Sequence, residues 1–182
     1  MRVITGSARG ISLDAPRSGL RPTMDRVREA VFSSLGDAVP GARVLDVFAG
    51  SGSFGIEALS RGAESAMFVE SDRASCDTIR RNLARTRLTG NIQCMDTFRF
   101  LELYAMEGGY DLIFADPPYT MHTSERDLSG ELAASPELVR ALAANGTFIL
   151  ECSRAPESHP GLELLKIKRY GKSRIAYFTH IL

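Results

Sequence analysis

Metal-binding and disulfide patterns are scarce in this chain of 182 residues. Its three cysteines lie far apart and outside any CxxC motif: Cys76, Cys94 and Cys152. Its three histidines are equally scattered: His122, His159 and His180. Because structural zinc sites need closely spaced Cys and His ligands, this spacing argues against a metal centre. The cysteines are expected to be free thiols, as in a reducing cytoplasm, and the histidines to be surface or structural residues.

Long apolar runs are also lacking. No segment approaches the ~18 apolar residues of a membrane span, and no apolar signal core follows the first basic residue. With 44% hydrophobic residues, the chain has enough apolar surface for one core of ordinary size. We therefore expect a single cytoplasmic domain, residues 1–182, that does not enter a membrane.

Net charge is absent too, since 22 basic residues balance 22 acidic ones. The charges are nevertheless segregated along the chain. Residues 1–28 carry six arginines against two aspartates, residues 73–99 have the same excess, and residues 166–174 contain five basic residues and no acid. Most of the compensating acids fall in residues 100–163. This pattern favours a molecule with one basic face suited to a polyanion, and the alternative is an ordinary solvated surface.

Hydrophobic periodicity predicts an α/β fold. A short hairpin is expected from residues 2–4 and 11–13, followed by a helix that Thr23 caps and Gly36 ends. Beyond it, apolar strands alternate with helical segments, which implies a doubly wound, mostly parallel sheet covered on both faces. These strands are predicted at 44–49, 66–70, 92–95, 112–115 and 147–151. The segments 162–170 and 174–182 flank a Gly-Lys-Ser turn, so the chain is expected to end in an antiparallel hairpin.

The most informative motif is Asp116-Pro117-Pro118-Tyr119, directly behind the apolar strand. Asp116 and the Pro117 carbonyl can accept hydrogen bonds from both hydrogens of an exocyclic amino group, and Tyr119 offers a face for stacking. The prolines fix φ near −65° and bias each preceding residue towards extended geometry, so the acceptors are held in place in advance. The motif therefore favours a site for a flat ring bearing an amino group. The alternative is a strand end followed by a proline-rich turn.

A glycine-rich turn provides the second motif. The segment Gly50-Ser51-Gly52-Ser53-Phe54-Gly55 follows the first parallel strand and opens a helix. Glycines allow a ligand to approach the backbone, and the helix N-terminus offers unpaired N–H groups. Glu70, at the tip of the second strand, can take both hydroxyls of a ribose. These residues alone fit a nicotinamide dehydrogenase about as well as an S-adenosylmethionine enzyme.

Carboxylates at the ends of four successive strands separate these two possibilities. They are Asp46, Glu70, Asp96 and Asp116. Ligands of open α/β sheets bind beyond the carboxyl ends of the strands, and an acidic crevice attracts a cationic cofactor and repels a pyrophosphate. Asp96, followed by Thr97, lies at the height of an adenine amino group. The alternative is that some of these acids only cap the following helices, which is our preferred interpretation for Asp72.

The chain resembles the class I S-adenosylmethionine-dependent methyltransferases that modify amino groups, whose motif is Asp/Asn-Pro-Pro-aromatic. More closely, it is similar to the bacterial 16S ribosomal RNA guanine-N2 methyltransferase family. The segments 21–32, 46–63 and 69–72 carry this similarity together with the tetrad. The resemblance implies a Rossmann-like core that binds S-adenosylmethionine, residues 41–182, preceded by an RNA-contacting hairpin and helix, residues 1–40.

By this resemblance, the acceptor is the N2 atom of guanine 966 in the 16S rRNA of the small ribosomal subunit, and the cofactor product is S-adenosylhomocysteine. The implied catalytic residues are Asp116, Pro117 and Tyr119. The implied cofactor-binding residues are Asp46, Phe48, Gly50, Ser51, Gly52, Glu70, Asp96, Thr97 and Asp116. The implied RNA-binding residues are Pro118, Tyr119, Arg21, Thr23, Arg26 and Arg28. The protein is expected to act as a monomer.

Other functions remain open at this point. An adenine-N6 DNA methyltransferase shares the tetrad but usually needs a separate target-recognition domain. A protein-glutamine methyltransferase typically has Asn where Asp116 stands. A nicotinamide oxidoreductase would use the glycine turn and Glu70 but leaves the tetrad unexplained. A non-catalytic ribosome-assembly factor could keep the same fold.

Overall fold

A single seven-stranded sheet forms the centre of the computed structural model, which describes residues 1–15, 22–118, 126–154, 156–171 and 173–181. The strand order is β3-β2-β1-β4-β5-β7-β6. The strands are β1 Arg43–Val47, β2 Ser65–Glu70, β3 Asn91–Cys94, β4 Tyr110–Ala115, β5 Leu142–Cys152, β6 Leu162–Tyr170 and β7 Ser173–His180. Strands β1 to β5 pair in parallel, and β7 pairs antiparallel with both β5 and β6. The predicted mostly parallel sheet with an antiparallel C-terminal hairpin is confirmed.

Helices cover both faces of this sheet. They are α1 Pro22–Leu35, α2 Ser53–Ser60, α3 Arg73–Thr86, α4 Thr97–Leu103, α5 Leu128–Ala133 and α6 Pro136–Ala141. Apolar residues of α1, α2 and α3 share one buried cluster, and those of α4, α5 and α6 share the other. Because α1 already begins at Pro22, Thr23 lies in its first turn, and the prediction that Thr23 precedes the helix as its cap is wrong.

Three phenylalanines join α1 and α2 to the central strand β4. The Phe114 ring lies 5.4 Å from that of Phe32 and 5.3 Å from that of Phe54, centre to centre. Phe114 is the second residue before the tetrad, and Phe54 belongs to the glycine turn. Packed aromatic pairs of this kind add about 0.5–1.5 kcal/mol beyond their buried area. The two motifs thus share one rigid apolar support.

Two strand boundaries differ from the prediction for local reasons. Strand β1 ends at Val47 rather than residue 49, because Phe48 adopts a left-handed conformation with φ of 53°. Strand β5 begins at Leu142, five residues earlier than predicted. In the stretch 142–146, Leu142 pairs with Tyr110 of β4, and the register then shifts before Thr147, where Asn145 adopts a φ of 60°. Strand propensity gives no signal for this irregular first half of β5.

The N-terminal arm, residues 1–15, folds back on itself. A bridge joins Arg2 to Ser12, and the Val3 N–H donates to the Ile11 carbonyl at 3.0 Å. The arm docks on the end of α2, where the Ser60 hydroxyl accepts from the Ala8 N–H at 3.0 Å. Gly6 is required at this contact, since a Cβ there would lie 1.7 Å from the Ser60 carbonyl oxygen. The expected hairpin is present, although a single bridge replaces the two predicted strands.

Among the described residues, no helix combines the length and hydrophobicity needed to cross a bilayer. Within the same ranges, no group of three or more His, Cys, Asp or Glu residues is arranged to hold a metal ion.

Candidate active site

Parallel pairing brings the predicted site residues to one edge of the sheet. Val47 in β1 is in register with Val69 in β2 and with Ala115 in β4. The residues that follow these three positions are Phe48, Glu70 and Asp116. The carboxyl ends of parallel strands form the usual binding crevice of open α/β sheets. The cofactor motif and the tetrad therefore face the same crevice.

The glycine turn has a backbone geometry that allows a ligand to approach the main chain closely. Gly50 and Gly52 have φ of 55° and 76°, values that side chains rarely allow, and Phe48 adopts the same region at a cost of order 1–3 kcal/mol. Gly52 caps α2 without a side-chain hydrogen bond. Gly55 allows close packing, since a Cβ would lie 2.3 Å from the Phe68 ring. The Phe48 side chain, half-buried, meets Phe98 edge to face.

Asp46 lies beneath this turn and is 3% exposed. Its Oδ2 accepts from the Gly55 N–H at 2.9 Å. Burial is the main cause that raises the pKa of Asp46 to about 8, and the nearby carboxylates Asp116 and Glu70 contribute to the rise. The hydrogen bond from Gly55 lowers the pKa but does not offset these effects. Asp46 therefore lies within electrostatic range of two further carboxylates of the crevice. A bound cation would relieve this repulsion, whereas a pyrophosphate would increase it.

Glu70 connects the glycine turn to the β2–α3 turn. Its Oε2 accepts from the Gly50 N–H at 2.8 Å, and its Oε1 accepts from the Asp72 N–H at 2.9 Å. Asp72 in turn caps α3, accepting from the Ser75 N–H at 2.9 Å. The interpretation of Asp72 as a helix cap is thus confirmed. Glu70 lies at the crevice, where its carboxylate fixes the turn.

Asp96 caps α4, and its Oδ1 accepts from the Arg99 N–H at 3.0 Å. The alternative that some strand-end acids cap helices therefore applies to Asp96. Capping leaves Asp96 exposed at the crevice side of α4, whereas Thr97 is buried. A groove of about 450 Å³ begins at Asp96 and runs along Phe98 and Arg99 towards α6.

The tetrad follows β4 without interruption. Asp116 is half-buried, Pro117 is buried and Pro118 is exposed. Asp116 lies near enough to Asp46 to raise the pKa of that carboxyl. Tyr119, the predicted stacking residue, lies outside the described residues. The described part of the tetrad thus places its acid beside the glycine turn.

The arginines predicted to contact RNA fall into different environments. Arg26 is exposed on α1, while Arg21 and the Thr23 side chain lie outside what the structure describes. Arg28 is only 1% exposed, and the prediction that it grips RNA phosphates is wrong. Its guanidinium contacts Asp25 at 3.1 Å and Glu57 at 3.8 Å, and it donates to the Arg2 carbonyl. Burial lowers the pKa of Arg28, and the carboxylates of Asp25 and Glu57 oppose that shift.

A family model described as "Conserved hypothetical protein 95" matches residues 1–179. The chain belongs to this family. A Bacillus subtilis relative named "Putative rRNA methyltransferase YlbH" is 38% identical over 185 residues, which cover 98% of each chain. The Escherichia coli K12 relative named "Ribosomal RNA small subunit methyltransferase D" is 42% identical over 120 residues, 65% of this chain and 60% of that protein.

A similar solved structure supports the architecture. The Escherichia coli structure titled "Putative methyltransferase yhhF" superposes with a TM-score of 0.82 at 28% identity, covering 100% of this chain and 98% of that chain. The fold is thus that of the class I methyltransferases. The resemblance that the sequence suggested is confirmed at the level of the family.

Two buried polar residues near the site, Glu57 and Asn82, were not predicted from the sequence. Glu57 on α2 accepts from the N–H groups of Ile4 and Thr5 at 2.8 and 3.0 Å and pairs with Arg61 at 2.8 Å. Asn82 on α3 donates to the Ser51 carbonyl at 3.0 Å and accepts from the Asp14 N–H at 2.8 Å. Each residue connects the N-terminal arm to a cofactor-side element. The sequence signal that could have identified them is a polar residue within the apolar stripe of a helix, which indicates a buried hydrogen-bonding role.

Proposed function

We propose that this protein transfers a methyl group from S-adenosylmethionine to the exocyclic N2 of a guanine in the 16S rRNA of the small ribosomal subunit, guanine 966 by family resemblance. The observation that carries the proposal is the position of Asp116-Pro117-Pro118 beside the acidic glycine turn, in a chain whose relatives are named rRNA methyltransferases. Residues 41–182 would supply catalysis and residues 1–40 the RNA contacts. We expect the protein to act as a monomer.

The residues of the crevice fit S-adenosylmethionine. Asp46, buried and next to two further carboxylates, suits a cationic group. The turn from Phe48 to Gly52 exposes backbone to an adjoining ligand, and Glu70 stands at the position expected for ribose hydroxyls. Asp96 and Thr97 would flank the adenine. When bound, the cofactor supplies a methyl group activated by its sulfonium charge.

The tetrad would prepare the guanine for attack. The Asp116 carboxylate and the Pro117 carbonyl would accept hydrogen bonds from the two N2 hydrogens. These bonds would draw the amino group out of conjugation with the ring, so that its lone pair becomes available. Tyr119 and Pro118 hold the base plane against rotation. Orientation of this kind lowers a barrier by about 7–11 kcal/mol. The proton from N2 passes to Asp116 or to water.

RNA would be gripped mainly through phosphates. Arg26 is the exposed cation of α1, with Arg21 just before that helix in the sequence. Phosphate contacts position a nucleic acid without reading its bases, so recognition of the guanine is left to the tetrad. An unpaired base in an RNA loop can be splayed out and stacked on an aromatic side chain.

The deciding experiment is transfer of a labelled methyl group from S-adenosylmethionine to small ribosomal subunits, to free 16S rRNA and to DNA. We expect label in the 16S rRNA, and nucleoside digestion should identify it as N2-methylguanosine. Label in DNA adenine would favour the adenine-N6 alternative. Binding of S-adenosylhomocysteine without transfer to any acceptor would favour an assembly factor. Stabilisation by NAD instead would favour an oxidoreductase.

A further inference from the structure

The β6–β7 hairpin carries a positive charge that the cofactor crevice does not use. Residues 164–174 contain five basic residues and no acid. Four of them lie in the described part of the hairpin and are here called the basic strip: Lys166, Lys168, Arg169 and Arg174. None of them forms an ion pair with another described residue. The strip therefore holds cations without internal compensation.

Two of these cations converge on one neutral oxygen. Lys166 Nζ lies 2.7 Å and Lys168 Nζ 3.4 Å from the hydroxyl oxygen of Ser34, near the end of α1. Lys166 Nζ also lies 4.7 Å from the centre of the Tyr177 ring. Burial, with Tyr170 nearby, raises the pKa of Tyr177 to about 12, so this phenol stays neutral. An anion at this point would relieve the repulsion between the two ammonium groups.

Strand register places the strip at the catalytic edge of the sheet. Ala115 is aligned with Leu150, Leu150 with Ala176, and Ala176 with Ile167. One residue further towards the carboxyl end of β4, the same line across the sheet runs from Asp116, which follows β4, to Lys168 on β6. These two residues are separated by three strand spacings, about 14 Å. At the ~3.4 Å rise of a stacked nucleic-acid strand, that distance corresponds to roughly four nucleotides.

The strip also continues a track that begins on α1. Arg26 is exposed and precedes Ser34 by eight residues, which is about 12 Å along the helix. Lys166 and Lys168 then extend the positive charge from Ser34 across the edge strand. Such a line of spaced cations matches the regular spacing of phosphates on a polynucleotide better than it matches an isolated anion.

We propose that the basic strip is a second RNA-binding site, which holds the phosphate backbone a few nucleotides from the base that enters the crevice. This inference rests on the proposed function. A ribosomal protein with an acidic surface is the competing occupant, and a structural tether between β6 and α1 is the competing role.

The test compares the charge-neutralised protein K166Q/K168Q with the wild type in equilibrium binding to small ribosomal subunits and to protein-free 16S rRNA at several salt concentrations. Each lost phosphate contact lowers the slope of log K against log salt by about 0.7, so the double variant should lose about 1.4. Its affinity should fall on the order of tenfold at physiological salt. The variant K166R/K168R should bind like the wild type.

A matched control removes the same charge from the opposite edge of the sheet. Arg80 and Arg87 belong to the basic segment 73–99, but the structure places that segment's helix α3 against β3, at the other end of the strand order from β6, so it does not share one face with the strip. Both arginines are exposed, and Arg80 is paired with Asp77 at 2.6 Å. The variant R80Q/R87Q should keep the wild-type salt slope. The single variant K168Q keeps the shorter Lys166–Ser34 contact and should lower the slope by about 0.7, so it provides a second variant if the lysine pair proves necessary for folding.

The outcomes separate this inference from the proposed function. An unchanged slope in both K166Q/K168Q and K168Q, with a wild type that methylates the subunit, refutes the basic strip alone. A lower slope with small subunits but an unchanged slope with protein-free 16S rRNA indicates a contact to an acidic ribosomal protein and refutes it. Lower affinity with an unchanged slope on both indicates a tether and also refutes it. A wild type that methylates no ribosomal RNA refutes the proposed function and this inference together.

Discussion

Replacement of Asp46 by asparagine tests whether the crevice is built for a cationic ligand. An ordinary aspartate has a pKa near 3.8, whereas burial raises the pKa of Asp46 to about 8. Between these values the unfolded chain holds Asp46 ionised and the folded protein holds it protonated. The folded state therefore binds more protons, and its stability falls as the pH rises through this window. At about 1.4 kcal/mol per pKa unit, the effect amounts to several kcal/mol near pH 8.

A cation beside Asp46 favours the ionised carboxylate, so binding of S-adenosylhomocysteine through its ammonium should expel a proton. Affinity should then rise by up to tenfold per pH unit between about pH 5.5 and 7.5. D46N can still accept the Gly55 N–H, so the turn should keep its shape. The variant should lose the pH slope and bind roughly ten- to hundredfold more weakly at pH 7.5, as expected for a lost charged hydrogen bond of about 1.5–3 kcal/mol.

Isothermal titration calorimetry across this pH range, in buffers of different ionisation enthalpy, measures both the affinity and the released proton. Thermal unfolding without ligand provides the second readout. D46N should be more stable than the wild type at pH 7.5, and this advantage should shrink steeply as the pH falls towards 5. D77N removes an exposed carboxylate of α3 and serves as the control. A wild-type affinity that does not vary with pH, or an equal slope in D46N, would refute the role assigned to Asp46.

Four other outcomes are expected. D116A should abolish methyl transfer while retaining S-adenosylhomocysteine binding by calorimetry, and wild-type turnover would remove Asp116 from the mechanism. Y119F should be mild and Y119A should lose about 1–3 kcal/mol of acceptor binding, whereas equal tolerance of both would exclude stacking. E57Q should lower the unfolding free energy by about 3–5 kcal/mol in urea, far more than loss of the exposed Arg80–Asp77 pair. Neutralising Arg21 and Arg26 should flatten the salt dependence of RNA binding, and an unchanged slope would assign them to structure.

The central sheet was predictable because each parallel strand is a short apolar run bounded by turn residues. Its register then follows from the alternation of strands and helices, which brings Asp46, Glu70 and Asp116 to one edge. The exact end of β1 was not predictable. The left-handed conformation of Phe48 arises from the loop that follows, and an aromatic residue gives no local signal for it.

The acids at the strand ends illustrate a second limit of prediction from sequence. A carboxylate after a strand serves a ligand in one protein and caps the next helix in another, and the residue type is the same in both cases. Asp96 and Asp72 each accept from a backbone N–H three residues later, whereas Asp46 reaches nine residues ahead to Gly55. The spacing of the first two pairs is a local capping signal that the sequence contains. The third contact depends on how the glycine turn folds over β1.

The helical period of α1 contradicts the RNA-binding role that the family resemblance implied for Arg28. Arg26 and Arg28 are two residues apart and so lie on nearly opposite sides of α1. Arg28 is three and four residues before the buried Val31 and Phe32, which places it on the apolar stripe. A buried arginine needs a buried acid, and Glu57 lies in the apolar stretch of α2 just after the glycine turn. Arg28 and Glu57 are therefore both buried because each compensates the charge of the other.

The Arg28–Glu57 pair also bears on how the proposed RNA site and the proposed cofactor site are connected. Glu57 binds the arm backbone at Ile4 and Thr5 from the helix that the glycine turn opens. Asn82 joins Asp14 of the arm to the Ser51 carbonyl within that turn. A shift of the arm on RNA would therefore pull on backbone groups of the turn through buried hydrogen bonds, each costing about 1–3 kcal/mol if left unsatisfied. Cofactor affinity and arm position should be coupled for this reason, and the coupling must act equally in both directions.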